Sequence, residues 1–431
     1  MAAARLPHEI GIQIMSNLDY KNLARVARVC RSWRAFANED TLWRTLIARF
    51  ELPIETAGTA KERFAAAFES LRPIFDVYPA VAQKYQTLVK FLSRGGPSRL
   101  VESLNPGANL EALGFSLGEF SAVNSPYVKS LLAWYALADG QKMLHEDEDM
   151  EVEPPALFGS FECYGDVVNP VWLPVAAVQT FFHRSTGITF LVVGYCRTTR
   201  FVLCFVAKTP SELGYLLGNF VTLEPTGQRY IDFGPFGEFM ARYVDEVVSG
   251  ERSVDRSTSE ISMFKKSGRG TSLAVTQGIE VHVSSICCLH IGNQAGQWSY
   301  NISMRYVTGQ CPYPSVQLES RKWQITYRSG RIERVEGPAV VGHYPKLSSA
   351  TPTFSYRSFC AGMNRRDRRS TNDLNDPFPE GDPPVSMMGS FVFVPGSRLH
   401  PTGEKFEVEV GRWEFEYPLR ILGSRRLLTN G

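Results

Sequence analysis

The sequence has little that would support a metal site, a disulfide framework or a membrane span. Its eight cysteines and seven histidines are scattered over 431 residues, with no C-x-x-C pair and no histidines at ligand spacing. This distribution indicates a reduced, intracellular protein. No apolar run approaches the roughly 18 residues of a spanning helix, and residues 1–10 lack the apolar core of a secretion signal. We therefore expect no metal, no cofactor and no membrane partner.

Charge of one sign is also lacking. The net charge is +2 and the sequence pI is about 8.1, so no global field favours nucleic acid or an anionic membrane. Apolar residues make up 44% of the chain and charged residues 21%, which is ordinary for a globular protein. The length predicts about two to four domains.

The strongest pattern lies in residues 6–50. One helical face carries three apolar side chains at a spacing of four, and two further stripes with a three-four spacing follow. Asp40 or Thr41 is expected to cap the third helix, because a short oxygen-bearing side chain accepts from free backbone amides. The apolar positions of the three runs are Ile10, Ile14 and Leu18; Leu23, Val26, Cys30, Trp33 and Phe36; and Leu42 or Trp43, Leu46, Ile47 and Phe50.

Three helices of this size cannot enclose so many large apolar side chains. Domains of about forty residues usually need a staple or a partner, and this stretch contains a single cysteine, Cys30. An apolar face that is not buried internally is typical of a docking surface. The alternative is that the face packs on the next part of the same chain.

Three sequence blocks in this stretch resemble the F-box family. They are Leu6-Pro7-x-Glu9-Ile10, Val29-Cys30-Arg31-x-Trp33 and Leu42-Trp43, in the family's order and spacing. The resemblance implies a trihelical element that docks onto a Skp-family linker and through it onto a cullin-RING ubiquitin ligase. It also implies which residues line that contact: Leu6, Pro7, Ile10, Leu18, Leu23, Val29 and Trp33.

The next two hundred residues change from helical to strand-like patterns. Residues 51–100 are predicted to form a helical connector, and residues 101–250 an α+β module that closes with a helix over 236–248. The run LLAWYALADG at 131–140, the Leu157-Phe158-Gly159 turn and the hairpins that follow resemble the SUKH family. Residues 251–272 are rich in Ser, Thr, Lys, Arg and Gly and are interpreted as a flexible linker.

Residues 273–420 predict about seven short strands, which is typical of a β-sandwich, and residues 421–431 a tail. The run from Val316 to Thr326, the run from Gly337 to Leu347 and Phe354-x-Tyr356 resemble the ApaG family, which implies an immunoglobulin-like sandwich. Residues 363–386 depart from that family and are predicted to be a flexible insertion. The fold class is therefore multidomain α+β: F-box, SUKH-like module and ApaG sandwich.

No catalytic constellation emerges from the sequence. Residues 114–118, GFSLG, fit the nucleophile-elbow pattern, but a helix and not a strand precedes the serine, so a turn is the better interpretation. Residues 337–342, GPAVVG, have Ala339 where a phosphate-binding loop needs glycine and are interpreted as a turn. The basic residues at 365–369 are interpreted as a solvated charge run.

The combination of these domains resembles a group of animal and plant F-box proteins that act as substrate receptors of a ubiquitin ligase. The chain is then expected to catalyse nothing, to bind an unidentified target protein and to work in the cytoplasm or nucleus. Two alternatives are a sandwich that senses a small anion such as a pyrophosphate compound, and a Skp-bound scaffold without cullin. The expected target or ligand surface comprises Tyr313, Tyr344, Gly337 and Gly342.

Overall fold

The structure is a computed structural model, and the chain forms two compact units, 1–87 with 106–139 and 88–105 with 140–431. Among the residues described, no helix has the length and apolar character that a membrane crossing requires. The residues described are 7–53, 57–108, 126–142, 154–163, 166–184, 186–199, 202–223, 229–288, 297–360, 382–415 and 420–423.

The first unit is helical. Its helix α5 begins with a reciprocal cap, in which the Thr59 hydroxyl accepts from the Glu62 amide and the Glu62 carboxylate accepts from the Thr59 amide. Helix α6 runs across the division between the units, and the short α7 lies in the second unit. The helices are α1 His8–Met15, α2 Tyr20–Val26, α3 Arg31–Ala37, α4 Asp40–Arg49, α5 Ala60–Leu71, α6 Tyr78–Leu92, α7 Arg99–Glu102 and α8 Pro126–Leu137.

Residues 8–49 form four helices where the sequence predicted three. The second apolar stripe is broken between α2 and α3, because Cys30 is extended at φ −157° and caps α3. The Arg34 side chain braces the turn by donating from Nε to the Ala27 carbonyl at 3.1 Å. Leu23 is 1% exposed and Trp33 is 40% exposed, so the stripe does not form one continuous helical face.

The predicted cap of α4 was wrong. This helix starts at Asp40 itself, and Glu39 at the N-cap position makes no side-chain hydrogen bond. The Asp40 carboxylate instead accepts from the amide of Ala60, the first residue of α5, at 2.6 Å. A side chain at a helix start can serve any free amide within reach, and local sequence does not say which helix that amide belongs to.

One side of the amino-terminal helices is buried against α5 and the residues that follow it. Trp43 and Phe64 lie 5.2 Å apart between ring centroids, and the Trp43 indole donates to the Ala37 carbonyl at 2.8 Å. Packing on the next part of the same chain therefore accounts for this side of the element. The aromatic cluster comprises Tyr20, Trp43, Phe50, Phe64, Phe68 and Phe75.

The second unit contains an antiparallel sheet in which β10, β9, β8, β7 and β5 lie side by side in that order. Strand β6 also pairs with β7, and β22 Arg420–Gly423 pairs with the free side of β10. Helix α9 Phe236–Val248 follows β10, and 3₁₀ turns cover Val175–Ala177 and Ser211–Leu216. The strands to this point are β1 Leu104–Pro106, β2 Ala138–Gln141, β3 Phe161–Cys163, β4 Asp166–Val168, β5 Val171–Trp172, β6 Gln179–His183, β7 Ile188–Tyr195, β8 Val202–Lys208, β9 Asn219–Leu223 and β10 Arg229–Pro235.

The segment predicted as a flexible linker is folded, so that prediction was wrong. It forms a hairpin of β11 Arg252–Val254 and β12 Ile261–Lys265, and Ile261 and Phe264 are buried. The carboxylate of Glu246 on α9 holds the hairpin, accepting from Arg252 at 2.7 Å and from Lys265 at 2.9 Å. Burial opposes its charge, but these two cations outweigh burial and lower the pKa of Glu246. Charged residues that made the segment 251–272 resemble a linker, Arg252 and Lys265, belong to this ion network.

The described residues between 271 and 414 form the sandwich. One sheet has the order β13-β14-β15-β19 and the other β17-β16-β20-β21, with β18 also pairing with β16. Tyr300, Ile302 and Met304 are all buried, because alternate residues of a strand face the same side of its sheet. The strands are β13 Thr271–Thr276, β14 Ile279–Cys288, β15 Gln297–Tyr306, β16 Ser315–Tyr327, β17 Ile332–Pro338, β18 Lys346–Ser348, β19 Thr353–Cys360, β20 Pro384–Pro395 and β21 Phe406–Glu414.

The chain's last described strand corrects the predicted end of the sandwich. Residues Arg420–Gly423 form β22, which pairs with β10 of the preceding sheet and not with the sandwich. The boundary at 420 and the tail at 421–431 therefore do not match the strand pairing. A four-residue strand that pairs with a strand much earlier in the chain has no local sequence pattern that predicts the pairing.

Several predictions fall outside the described residues. These are Leu6, the GFSLG segment at 114–118, the basic run at 365–369 and most of the insertion. The last residues of the insertion, from 382 onward, are described and are held by hydrogen bonds and by strand pairing. Asp382 accepts from the amide and hydroxyl of Ser329 at 2.8 and 2.6 Å, and β20 begins two residues later.

Candidate protein-docking sites

The amino-terminal helices leave an apolar face uncovered on the side away from the aromatic cluster. Ile10 and Ile14 on α1 are each 44% exposed, Val29 is 67% exposed and Trp33 on α3 is 40% exposed. Pro7, which precedes α1, is exposed as well. We call these five residues the amino-terminal face. Large apolar side chains at this density on a small element are typical of an interface.

A close crossing of α1 and α3 brings the two halves of this face together. A Cβ added at Gly11 would lie 2.7 Å from the Phe36 ring, which is too close for any larger residue. His8 also contacts Phe36, with ring centroids 5.5 Å apart. Gly11 and Phe36 are buried, so the two helices touch along their inner sides and carry Ile14 and Trp33 outward.

Four arginines flank Val29 and Trp33 in the sequence, and we call them the basic rim. Arg25, Arg28, Arg31 and Arg34 are all exposed and follow one another at a spacing of three. Residues 20–34 contain no acidic side chain to balance them. The charge of this rim fits an acidic partner surface, and it would speed association at low ionic strength.

Of the residues predicted to line the Skp contact, Leu6 lies outside the described residues and the other six divide into three groups. Pro7, Ile10, Val29 and Trp33 belong to the amino-terminal face, and Leu18 is half-buried. Leu23 was assigned wrongly, because at 1% exposure it belongs to the core. Sequence reasoning placed Ile14 on the stripe with Ile10 but left it out of the contact, although the spacing of four already placed both on one face.

The predicted target residues Tyr313 and Tyr344 lie in loops that flank one end of β16. Tyr313 is half-buried, packs on Phe406 at 5.3 Å between centroids and accepts a hydrogen bond from Tyr306 through its carbonyl. The Arg398 guanidinium lies 3.6 Å from the centre of the Tyr344 ring. Both tyrosines are therefore already engaged within the sandwich and expose only part of their rings.

A turn beside them presents an apolar side chain that the sequence did not single out. Leu399 is 86% exposed, at the tip of the connection between β20 and β21. An isolated bridge between Gly396 and Pro401 closes this turn, and the Arg398 amide donates to Gln317 at 2.9 Å. An exposed leucine on a braced turn has no local periodicity, which explains why the pattern missed it.

The predicted glycines border a different feature, a cleft between the two sheets. Gly337 lies on β17 and leaves room for Arg321, whose guanidinium would be 3.4–3.6 Å from a Cβ at that position. Gly342, at φ +76°, belongs to the turn after β17. Ala339 at φ +60° and Val341 at φ +47° share the turn in a conformation that costs a β-branched residue free energy.

The side chains along this cleft do not form a catalytic or metal-binding group. Burial raises the pKa of the Cys360 thiol to about 12, which leaves it inert as a nucleophile at neutral pH. Burial, with a hydrogen bond to Glu333, also raises the pKa of Tyr327. Within the described part of the chain, no cluster of three or more His, Cys, Asp or Glu residues could hold a metal ion.

Comparisons with known proteins agree with these two parts of the chain. A family model described as F-box-like matches residues 3–49, and one described as the ApaG domain matches residues 292–366. F-box protein SKIP16 from Arabidopsis thaliana is 25% identical, covering 94% of this chain and 96% of that protein. F-box only protein 3 from Homo sapiens is 26% identical, covering 80% of this chain and 72% of that protein.

A bacterial relative fixes the assignment of the sandwich. Protein ApaG from Beijerinckia indica subsp. indica is 31% identical over 22% of this chain and 72% of that protein. With the F-box-like match at the other end, the combination of domains agrees with that expected from the sequence. The likeness of the middle part to the SUKH family stays a prediction. The chain therefore belongs to the ApaG domain family and carries an F-box-like domain at its amino end.

Proposed function

We propose that this chain is the substrate receptor of a Skp–cullin–F-box ubiquitin ligase. The observation that carries the proposal is the amino-terminal face, where Ile14, Val29 and Trp33 stay exposed although α4 and α5 bury the opposite side of the same helices. The F-box-like match covers this element, and two F-box proteins are similar over most of the chain.

The mechanism would be proximity. The ligase supplies the transfer chemistry, and the receptor holds its target at high effective concentration near the charged ubiquitin carrier. The chain itself would catalyse nothing. A receptor of this kind would work in the cytoplasm or the nucleus, where we propose that it is located.

The Skp-family linker is expected to present an apolar surface with acidic surroundings. The apolar part would cover Ile10, Ile14 and Trp33, while acidic groups would face the rim of Arg25, Arg28 and Arg31. This arrangement predicts that salt slows association more than it changes dissociation, since rim charges act mainly on the encounter.

Target recognition is proposed to lie in the second unit, and within it in the sandwich. Its loops are held by two rigid sheets, an arrangement that often presents binding residues. Tyr344 with Arg398, and Leu399 beside them, offer the aromatic, arginine and apolar groups that dominate interface energies.

Affinity purification of the full-length chain tests the proposal. Skp and cullin should both co-purify with the wild-type chain, and proteasome inhibition should increase the recovery of target proteins. Recovery of Skp without cullin would replace the ligase assignment by a scaffold bound to Skp.

A further inference from the structure

The sandwich contains a cleft of about 320 Å³ on the side where both sheets end. Strand β17 is the last of one sheet and β19 the last of the other, and side chains from both line the cleft together with the turn after β17. Its volume is at the lower end of the range for ligand sites, roughly 300–1,000 Å³. It has room for one or two amino-acid side chains.

The floor of the cleft is aromatic. Tyr300, Trp323 and Tyr356 line it, and each is less than 9% exposed because its ring also belongs to the sandwich core. Trp323 packs edge-on against Phe391 at 5.3 Å and against Trp413 at 6.0 Å, so it is fixed from below. Such a floor suits a flat or branched apolar group and offers it little freedom to slide.

Among the described residues that line the cleft, Arg321 is the one cation, and no described neighbour neutralises it. Arg321 donates from Nη1 to the carbonyls of Pro338 and Ala339 at 2.8 and 2.7 Å. Within the described residues, no carboxylate pairs with this guanidinium and no acceptor reaches its Nε or Nη2. These two nitrogens form the edge of a guanidinium that binds a carboxylate in a bidentate manner.

The cleft's own carboxylate is already used. Glu333 accepts from the Tyr327 hydroxyl at 2.7 Å and lies 3.4 Å from an Arg331 nitrogen. Both contacts use Oε2, and the Arg331 guanidinium offsets the charge of this carboxylate, whereas no described carboxylate offsets Arg321. The charges of the cleft favour a ligand with a single anionic group next to an apolar one.

The rim of the cleft is held in a strained conformation. Val341 is 39% exposed, lines the cleft and has φ +47°, which a β-branched residue rarely adopts. Strained residues of this kind are concentrated at ligand clamps and active sites. The two carbonyls that Arg321 fixes belong to the same turn, so the guanidinium and the rim form one structure.

We propose that this cleft binds an apolar group bearing one carboxylate, and that this ligand is the carboxyl-terminal residue of a target polypeptide. The terminal carboxylate would lie on Nε and Nη2 of Arg321, and the last side chain would pack on Trp323 and Tyr356. In a terminal residue both groups come from one Cα. An internal Glu or Asp has its charge at the end of its own side chain and offers no apolar group to the floor. The identity of the ligand as a target rests on the proposed function, whereas the chemistry of the cleft does not.

Fluorescence polarisation with the full-length chain tests the inference. The probes are one labelled peptide ending in Gly-Gly-Leu-Phe as the free acid, the same peptide as the carboxamide, and unlabelled 3-phenylpropanoate and inorganic pyrophosphate as competitors. The free acid should bind at least tenfold more tightly than the amide. Equal binding of acid and amide, or no binding of either, would overturn the proposal.

Two variants at the rim make the test independent of folding. The two variants are Val341→Asn and Val341→Asp. Asparagine and aspartate have side chains of similar shape, and both tolerate a positive φ better than valine. The asparagine variant should keep the affinity for the free acid, while the aspartate variant should lose at least tenfold because its charge repels the carboxylate. Equal affinity of the two variants for the free acid would contradict the proposal. Arg321→Gln should bind acid and amide alike.

The two competitors distinguish a polypeptide end from a small acid and from an inorganic anion that could occupy the same cleft. Phenylpropanoate that competes as well as the unlabelled peptide would show a small-acid site and overturn the assignment to a polypeptide end. Pyrophosphate that displaces the peptide at lower concentration than phenylpropanoate would show an anion site on the turn and also overturn it. Binding of Skp by the Val341→Asp variant, expected to be unchanged, tests the proposed function separately.

Discussion

The backbone amide of Ala60 donates a hydrogen bond of 2.6 Å to the carboxylate of Asp40, twenty residues earlier in the chain. This bond caps α5 with a side chain from α4 and fixes the angle between the two helices. Lys61 reinforces the junction by donating to the Asn38 side chain at 2.7 Å. The F-box-like element is thereby part of a larger helical unit.

Asp40 should make this unit sensitive to acid. The hydrogen bond from Ala60, and then Arg44, lower the pKa of the Asp40 carboxyl, so its contribution is complete above the unfolded value of about 3.9 and is lost as pH falls through the folded value. Asp40→Asn should lower Tm at pH 7 but not at about pH 2. Thermal melts at both pH values measure this, with the exposed Glu69→Gln as a control that should leave Tm unchanged.

Leu23 and Trp33 should separate stability from binding. Leu23→Ala empties a core site and should cost about 2–5 kcal/mol of unfolding free energy. Trp33→Ala removes a side chain that is 40% exposed and should cost clearly less than Leu23→Ala, because it leaves no enclosed cavity. Urea unfolding of both variants measures the difference. Similar losses for the two would mean that Trp33 is packed in solution.

The hairpin of β11 and β12 should resist proteolysis as long as Glu246 is charged. Glu246→Gln leaves Arg252 and Lys265 without their main carboxylate, at a cost of about 1–3 kcal/mol for a network that is only partly buried. Limited proteolysis should then cut between residues 251 and 265, where the wild-type chain is spared. Glu251→Gln, which removes only the 3.1 Å contact to Lys265, is the matched control. Cutting of the wild-type chain there would restore the linker interpretation.

The turn after β17 should be stabilised by glycine. Val341→Gly relieves the cost of a positive φ and should raise stability by about 1 kcal/mol, since the loss of chain stiffness offsets part of a gain of about 1–3 kcal/mol. Val341→Ala keeps the Cβ and should gain less. Thermal melts of the two variants compare them directly. A destabilised glycine variant would mean that Val341 packs in place.

Sequence reasoning succeeded where a pattern is local and failed where partners are distant. The helix over 236–248 and the alternation of Tyr300, Ile302 and Met304 follow from spacing alone. The pairing of β22 with β10 and the hairpin held by Glu246 depend on residues far apart in sequence or on charges that resemble a linker's. Leu23 was misassigned because one stripe covers two helices that turn away from each other.

The candidate sites show the same division. Ile10, Val29 and Trp33 were identified through the F-box resemblance, and their exposure agrees with a docking role. Gly337 and Gly342 were placed on the expected ligand surface without the group that gives their turn its chemistry, because the Arg321 guanidinium comes from β16. No spacing in the sequence predicts that contact.

The most direct test of the central claim is the affinity of the full-length chain for purified Skp, measured by isothermal titration calorimetry. The double variant Ile14→Ala/Trp33→Ala should lose about 2–4 kcal/mol of binding free energy, as central anchors of an interface do, while the chain remains folded. A double variant that keeps wild-type affinity for Skp would contradict the account, because the amino-terminal face would then not be the surface that binds the ligase.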